Sequence, residues 1–155
     1  DAAQAARRLA ASDSTIGAAL LDQRNLAGVG TLYASEVLFL TGLNPWTPAV
    51  ELTGAQIGGI LERVHRLLGV NRHQATQSTT GLQHHGETTY VHGRSGRPCR
   101  RCGETVRVAG LGDPTQERTF FYCPTCQGGL APADDGRPQG PLGSSARSPG
   151  RRRPG

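Results

Sequence analysis

The sequence predicts a mainly α chain that gives way to a small β-hairpin ribbon and then to a disordered tail. Three observations carry that reading. Apolar residues recur at helical spacing as far as Leu68, four cysteines fall in two Cys-x-x-Cys pairs between Cys99 and Cys126, and composition collapses into Gly, Pro, Ala, Ser and Arg after Gln127.

Asp1 to Ala11 reads as a short Ala-rich helix with little apolar face. A second helix is expected from Ser14 or Thr15 to Leu26, with Ile16, Leu20 and Leu21 turned inward. Ala27-Gly28-Val29-Gly30 breaks it. A third helix opens at Thr31 and stops at Gly42, where glycine supplies the left-handed cap. Leu43 to Pro48 carries two prolines and is not helical. Thr53 with Gln56 three residues on forms a capping box. The stripe Ile57, Ile60, Leu61, Val64, Leu67, Leu68 then gives a fourth helix that Gly69 should end. Gly58 and Gly59 weaken it by about 1 kcal/mol each, so packing must hold it. Asn71 to Gly86 is a polar connector, Thr88 to Val91 is β-like, and Cys99 to Gln127 reads as two hairpins. The expected division is 1–86, 87–127 and a basic Gly/Pro/Arg tail, 128–155.

The 155 residues carry a formal charge of +5, so an acidic partner is the default. All 17 basic residues are Arg and none is Lys. Arg forks onto phosphate oxygens at any working pH, although a GC-rich genome would favour the same codons. The missing Lys removes the usual Schiff-base amine. No signal peptide and no membrane-spanning apolar run is present, so a soluble intracellular protein is expected. With no Met and with Asp1 first, the sequence does not look like a complete translated chain.

Cys99-x-x-Cys102, twenty residues, then Cys123-x-x-Cys126 uses every cysteine. Two facing knuckles of this spacing suit one structural Zn2+ in a closed tetrahedron of thiolates. Two disulfides are the alternative, disfavoured where thiols stay reduced. His84, His85 and His92 are rival ligands or solvated loop residues. Arg94, Arg97, Arg100, Arg101 and Arg107 surround the first knuckle, and Arg118 lies between the two, where it either contacts phosphate or is a solvated charge. Gly28-Val29-Gly30 entering the helix at Thr31 is either a plain turn or a phosphate seat built from free N–H groups and the helix dipole.

Leu20-Leu21-Asp22-Gln23 followed by Ala27-Gly28-Val29-Gly30-Thr31-Leu32-Tyr33-Ala34-Ser35-Glu36-Val37-Leu38-Phe39 resembles the helix–two-turn–helix core of the formamidopyrimidine-DNA glycosylase and endonuclease VIII family. Val91-His92-Gly93-Arg94 leading to Pro98-Cys99-Arg100-Arg101-Cys102-Gly103 resembles its zinc-finger entry, and Arg118-Thr119-Phe120-Phe121-Tyr122-Cys123-Pro124-Thr125-Cys126-Gln127 its exit. The likeness covers Asp1 to Gln127. Asn44-Pro45-Trp46 and the Phe-Phe-Tyr run lean to the endonuclease VIII side.

The resemblance implies a helix–two-turn–helix bundle followed by a zinc ribbon, from bifunctional DNA glycosylase/AP lyases that excise oxidised bases and nick the strand. It implies that double-stranded DNA with oxidised or abasic sites is the partner, that Arg118 holds a phosphate, and that Gly30, Thr31 and Arg94 join the DNA surface. Thr31 stands where the family has an asparagine, and Glu36 matches a glutamate near the catalytic amine. That amine belongs to an N-terminal proline in a domain expected to precede this chain. No catalytic residue is therefore expected here, and the chain alone should not cut DNA. A monomer in the bacterial cytoplasm, at the nucleoid, completes the expectation. A non-catalytic damaged-DNA-binding module and a zinc-ribbon adaptor for protein contacts are the rival readings.

Overall fold

The computed structural model describes residues 1–71, 78–82, 86–112 and 118–142. Among the described residues four α-helices come first: α1 (Ala2–Ala10), α2 (Ile16–Leu21), α3 (Thr31–Thr41) and α4 (Gly54–Asn71), with a short 3-10 turn at Ala49–Glu51. An antiparallel hairpin follows, β1 (Arg107–Leu111) with β2 (Arg118–Tyr122), in register from Arg107 opposite Tyr122 to Leu111 opposite Arg118.

Local chemistry sets most helix ends where the sequence puts them. Asp1 caps α1 by accepting from the Ala3 N–H at 2.9 Å, and only Ala5 and Leu9 of that helix are buried. Thr53 and Gln56 exchange bonds of 2.8 and 3.1 Å in the capping box of α4. Gly42 closes α3 with φ 74.

Two ends differ. α2 stops at Leu21 rather than Leu26, because the Asp22 carboxylate accepts the Arg24 N–H at 2.9 Å and offers the backbone a turn in place of a helix. α4 runs through Gly69 to Asn71; Gly69 does not take positive φ, so nothing there reverses the chain. Asn71 closes this end instead, its amide donating to Leu67 O and Ser78 O and its Oδ1 accepting from Ser78 N.

The β expectations also need correction. Thr88 to Val91 forms no strand, since the N–H groups of Tyr90 and Val91 are taken by the Glu36 carboxylate of α3. One hairpin stands where two were expected; the first knuckle is a tight turn with an isolated bridge between Pro98 and Thr105. The tail is not disordered from Gly128. Residues 128–142 lie along the hairpin, with Ala131 buried and Asp134 paired to Arg107. Burying an arginine requires a carboxylate, and the tail supplies it. The terminal Arg151-Arg152-Arg153 run lies outside the described residues.

Two apolar clusters organise the molecule. Leu9, Ile16, Leu20, Val37, Leu38 and Ile60 fill the first, which Leu111 and Phe120 of the hairpin join. Phe39, Val91, Cys99, Val106, Phe121 and Cys123 form the second. α3 feeds both, so it is the joint between helices and ribbon. Gly17 permits the close fit: a Cβ there would sit 2.7 Å from Leu111 Cδ1 and 3.0 Å from Pro45 O.

Candidate metal centre and nucleic-acid interface

The fold brings all four cysteines together. Their Sγ atoms lie within 4.8 Å of one another, the only such group of ligand atoms among the described residues. Cys99 and Cys126 are 3.9 Å apart and Cys102 and Cys123 3.5 Å. A disulfide needs about 2.05 Å. A tetrahedron of thiolates about 2.3 Å from zinc has edges near 3.8 Å, so these separations fit the metal. The Arg101, Glu104 and Cys126 N–H groups point at Cys99, Cys102 and Cys123 sulfurs at 3.3 to 3.5 Å. Burial pushes the Cys126 thiol up to about 11 and raises Cys123 as well. A bound cation is what turns such thiols into thiolates.

Among the described residues no histidine joins the four sulfurs. His84 and His85 lie outside the described residues. His92 is half-buried rather than solvated, edge-on to Phe121 at 5.1 Å, with Nδ1 buried and unpartnered. Burial holds its pKa down, opposed by the Glu36 charge.

At the Gly28-Val29-Gly30 turn, Gln23 acts as a staple. Its Nε2 donates to Val29 O at 3.2 Å and its Oε1 accepts the Gly28 N–H at 2.9 Å. Gly28 needs glycine for its φ of 86. Gly30 does not: it is extended, and a Cβ there would meet nothing within 4 Å. Gly30, the N-cap of α3, offers no side-chain cap bond, and the helix opens beside half-exposed Thr31. Glycine at 30 is therefore not demanded by φ or by a near neighbour; it stands at the N-cap of α3, a position that glycine favours.

Arg118 is exposed at the start of β2. Its position relative to α3 follows from three contacts. Ser35 Oγ accepts from the Phe121 N–H at 3.3 Å, Phe39 packs with Phe121 and Cys123, and Leu43 O receives the Gln127 amide at 2.9 Å. α3 and β2 therefore run in the same direction. Back from the Ser35 contact, four helical residues to Thr31 span about 6 Å. Three strand residues back to Arg118 span about 10 Å. Both phosphate candidates lie at one end of this pair and the thiolates at the other.

The other arginines divide by what already holds them. Arg94 donates to Tyr90 O and Pro98 O, each at 2.8 Å, and Arg100 to Thr89 O and Gly86 O. Arg101 lies 4.6 Å from the centre of the Phe39 ring, a cation–π contact that ties the knuckle to α3. Arg107 is buried against Asp134. Gln23, Glu36 and Asp134 carry none of these tasks in the sequence reading. Gln23 bonds within its own turn, whereas the main partners of Glu36 and Asp134 lie far along the chain, where no spacing rule reveals them. Glu36, fully buried, also accepts from Thr79 Oγ1 and the His92 N–H, tying the polar connector and the loop after it to α3.

Residues 1–81 match the formamidopyrimidine-DNA glycosylase H2TH domain. A probable endonuclease 8 2 of Streptomyces coelicolor is 48% identical over 122 residues, which is 79% of this chain and 44% of that protein. A formamidopyrimidine-DNA glycosylase of Methylobacillus flagellatus is 36% identical over 78% of the chain and 44% of its own length. The chain thus spans less than half of these relatives. Among solved structures, MutM (Fpg) of Thermus thermophilus superposes with a TM-score of 0.71 at 31% identity, over 84% of this chain and 51% of that one. Lactococcus lactis Fpg in complex with DNA containing an abasic site gives 0.69 at 25% identity, over 82% and 47%. With an H2TH core, a four-cysteine knuckle pair and these relatives, the chain belongs to the formamidopyrimidine-DNA glycosylase and endonuclease VIII family.

Proposed function

We propose that this chain is the DNA-gripping C-terminal part of a bifunctional DNA glycosylase/AP lyase of base excision repair, one that removes oxidised bases and nicks at abasic sites. The observation that carries it is the shared end of α3 and β2, where a helix N-terminus with no side-chain bond from its N-cap and the exposed Arg118 offer donors for two backbone phosphates. Duplex DNA with an oxidised or abasic site is the partner, and the protein acts as a monomer in the cytoplasm at the nucleoid. A flipped nucleotide leaves its phosphates displaced from the duplex line, and donors from two rigid elements suit that shape.

Zn2+ at Cys99, Cys102, Cys123 and Cys126 is structural. A shell closed by four thiolates leaves no position for water, so the metal fixes the ribbon against α3 and does no chemistry. Gly30 and Thr31 form the helix seat. Arg94 shapes the loop before Cys99 and keeps N–H groups beyond its two carbonyl bonds for a separate DNA contact at the thiolate end. The amine nucleophile and its acid lie outside this chain, in an N-terminal catalytic domain. The reading of a non-catalytic damaged-DNA-binding module draws on the absence of Lys, which leaves no side-chain amine for Schiff-base chemistry.

Titration on abasic duplex at several salt concentrations tests the grip. Arg118→Ala should cost about 1.5–3 kcal/mol as a lost charge-assisted bond and flatten the slope of log K against log salt by about one unit. Equal affinities and slopes for wild type and variant would reduce Arg118 to solvated surface.

A further inference from the structure

Beyond the second knuckle, residues 128–142 form a strap that the DNA reading leaves without a task. Its start is fixed by Asn44, whose amide donates to Gly129 O at 3.0 Å, and by a Gly129 N–H bond to Pro124 O at 2.8 Å. Tyr122 Oη then accepts from the Ala131 N–H at 2.9 Å and donates to Asp134 Oδ2 at 2.5 Å. Asp134 also receives both Nε and Nη2 of Arg107, at 2.8 and 2.6 Å, a bidentate pair with side chains 2% and 9% exposed. Further along, the Gln139 amide bonds both the N–H and the C=O of Val108, at 2.9 and 3.0 Å, closing the open edge of β1. The strap finally lies on Gly96, where a Cβ would come within 2.4 Å of Gly140.

Arg107 and Tyr122 are the pair at the base of the hairpin. Asp134 therefore grips both strands at once. The hairpin has reason to need this grip. A two-stranded ribbon is marginal alone, the middle of β1 is Ala109-Gly110 with little side chain to pack, and Arg118-Thr119 project exposed from the far end of β2.

We propose that Asp134 is a positioning residue: by clamping the strap across Arg107 and Tyr122 it sets the aim of Arg118 towards phosphate. This rests on the DNA reading above. It also opposes the simple electrostatic expectation. Asp134→Asn makes the chain one charge more positive, which on charge alone would tighten binding to DNA. The clamp requires the reverse.

The test is a double-mutant cycle in the full chain, on a duplex carrying a tetrahydrofuran abasic-site analogue, well below the melting temperature of every variant. Asp134→Asn should weaken binding about five- to tenfold, with zinc content unchanged, and should cost nothing more once Arg118 is already alanine. Gln139→Ala, which frees the strap without leaving a buried charge unpaired, should show the same dependence on Arg118 with a smaller loss. Binding that tightens, or a loss that persists in full in the Arg118→Ala background, would overturn the proposal. If Arg118→Ala itself costs nothing, Arg118 is solvated surface and the positioning proposal falls, whereas the DNA reading falls only if the wild-type chain does not bind the duplex.

Discussion

Gly30 separates a plain turn from a phosphate seat. Alanine fits its backbone and meets no neighbour, so Gly30→Ala should change unfolding free energy by no more than about 1 kcal/mol, the range for a helix cap. The same methyl would stand where a phosphate oxygen approaches, so affinity for abasic duplex should fall severalfold. Denaturant melts and DNA titrations of one variant check both halves. Unchanged affinity would leave the turn as a connection between α2 and α3. The residues that hold the neighbouring geometry, Gln23 and Glu36, work through backbone groups that they alone reach.

Among the elements, the strap adds a pH signature. The Arg107 guanidinium, with Tyr122 and the Gly136 N–H, holds the Asp134 carboxyl well below the usual carboxylate range. A depressed carboxylate contributes stability that is fully present above its unfolded value, about 3.9, and is lost as pH falls towards its folded value. Unfolding free energies of wild type and Asp134→Asn should therefore differ by a constant amount from neutral pH down to about 5, and converge below about 4. A gap that stays constant below pH 4 would mean that the pair is solvated and leaves the carboxyl at its unfolded value. The helices tell a similar story of local against distant forces. The capping box at Thr53 and the glycine stop at Gly42 are local and stand where the sequence puts them, whereas α4 passes Gly69 because Asn71 finds Ser78 across the connector.

For the whole molecule, the metal and the helices should come apart in experiment. Elemental analysis should give one zinc per folded chain. Chelation should then abolish DNA binding while most of the far-UV helical signal survives, because the first apolar cluster contains no cysteine. Loss of helix and binding together would show that the ribbon supports the bundle. The chain alone should form no borohydride-trapped adduct with abasic duplex. It has no Lys, and Asp1, at the head of α1, is followed by Ala2 and not by a glutamate. A stoichiometric adduct abolished by acetylating the N-terminus would assign Asp1 the role of nucleophile.

What depends on neighbours in the chain is legible in the sequence: the helical stripes, the helix starts at Asp1 and Thr53, the stop at Gly42, and the four-cysteine site, whose x-x spacing builds each knuckle locally. Motif resemblance added the family. What depends on partners far along the chain appears with the folded structure. Thr88 to Val91 leaves β pairing because Glu36 takes its N–H groups, Arg107 goes inside because Asp134 meets it, and residues 128–142 fold because the hairpin offers them an edge. The physical reason is that backbone and charged groups must be satisfied wherever burial strands them. Which distant residue satisfies them follows from packing and leaves no periodicity to read.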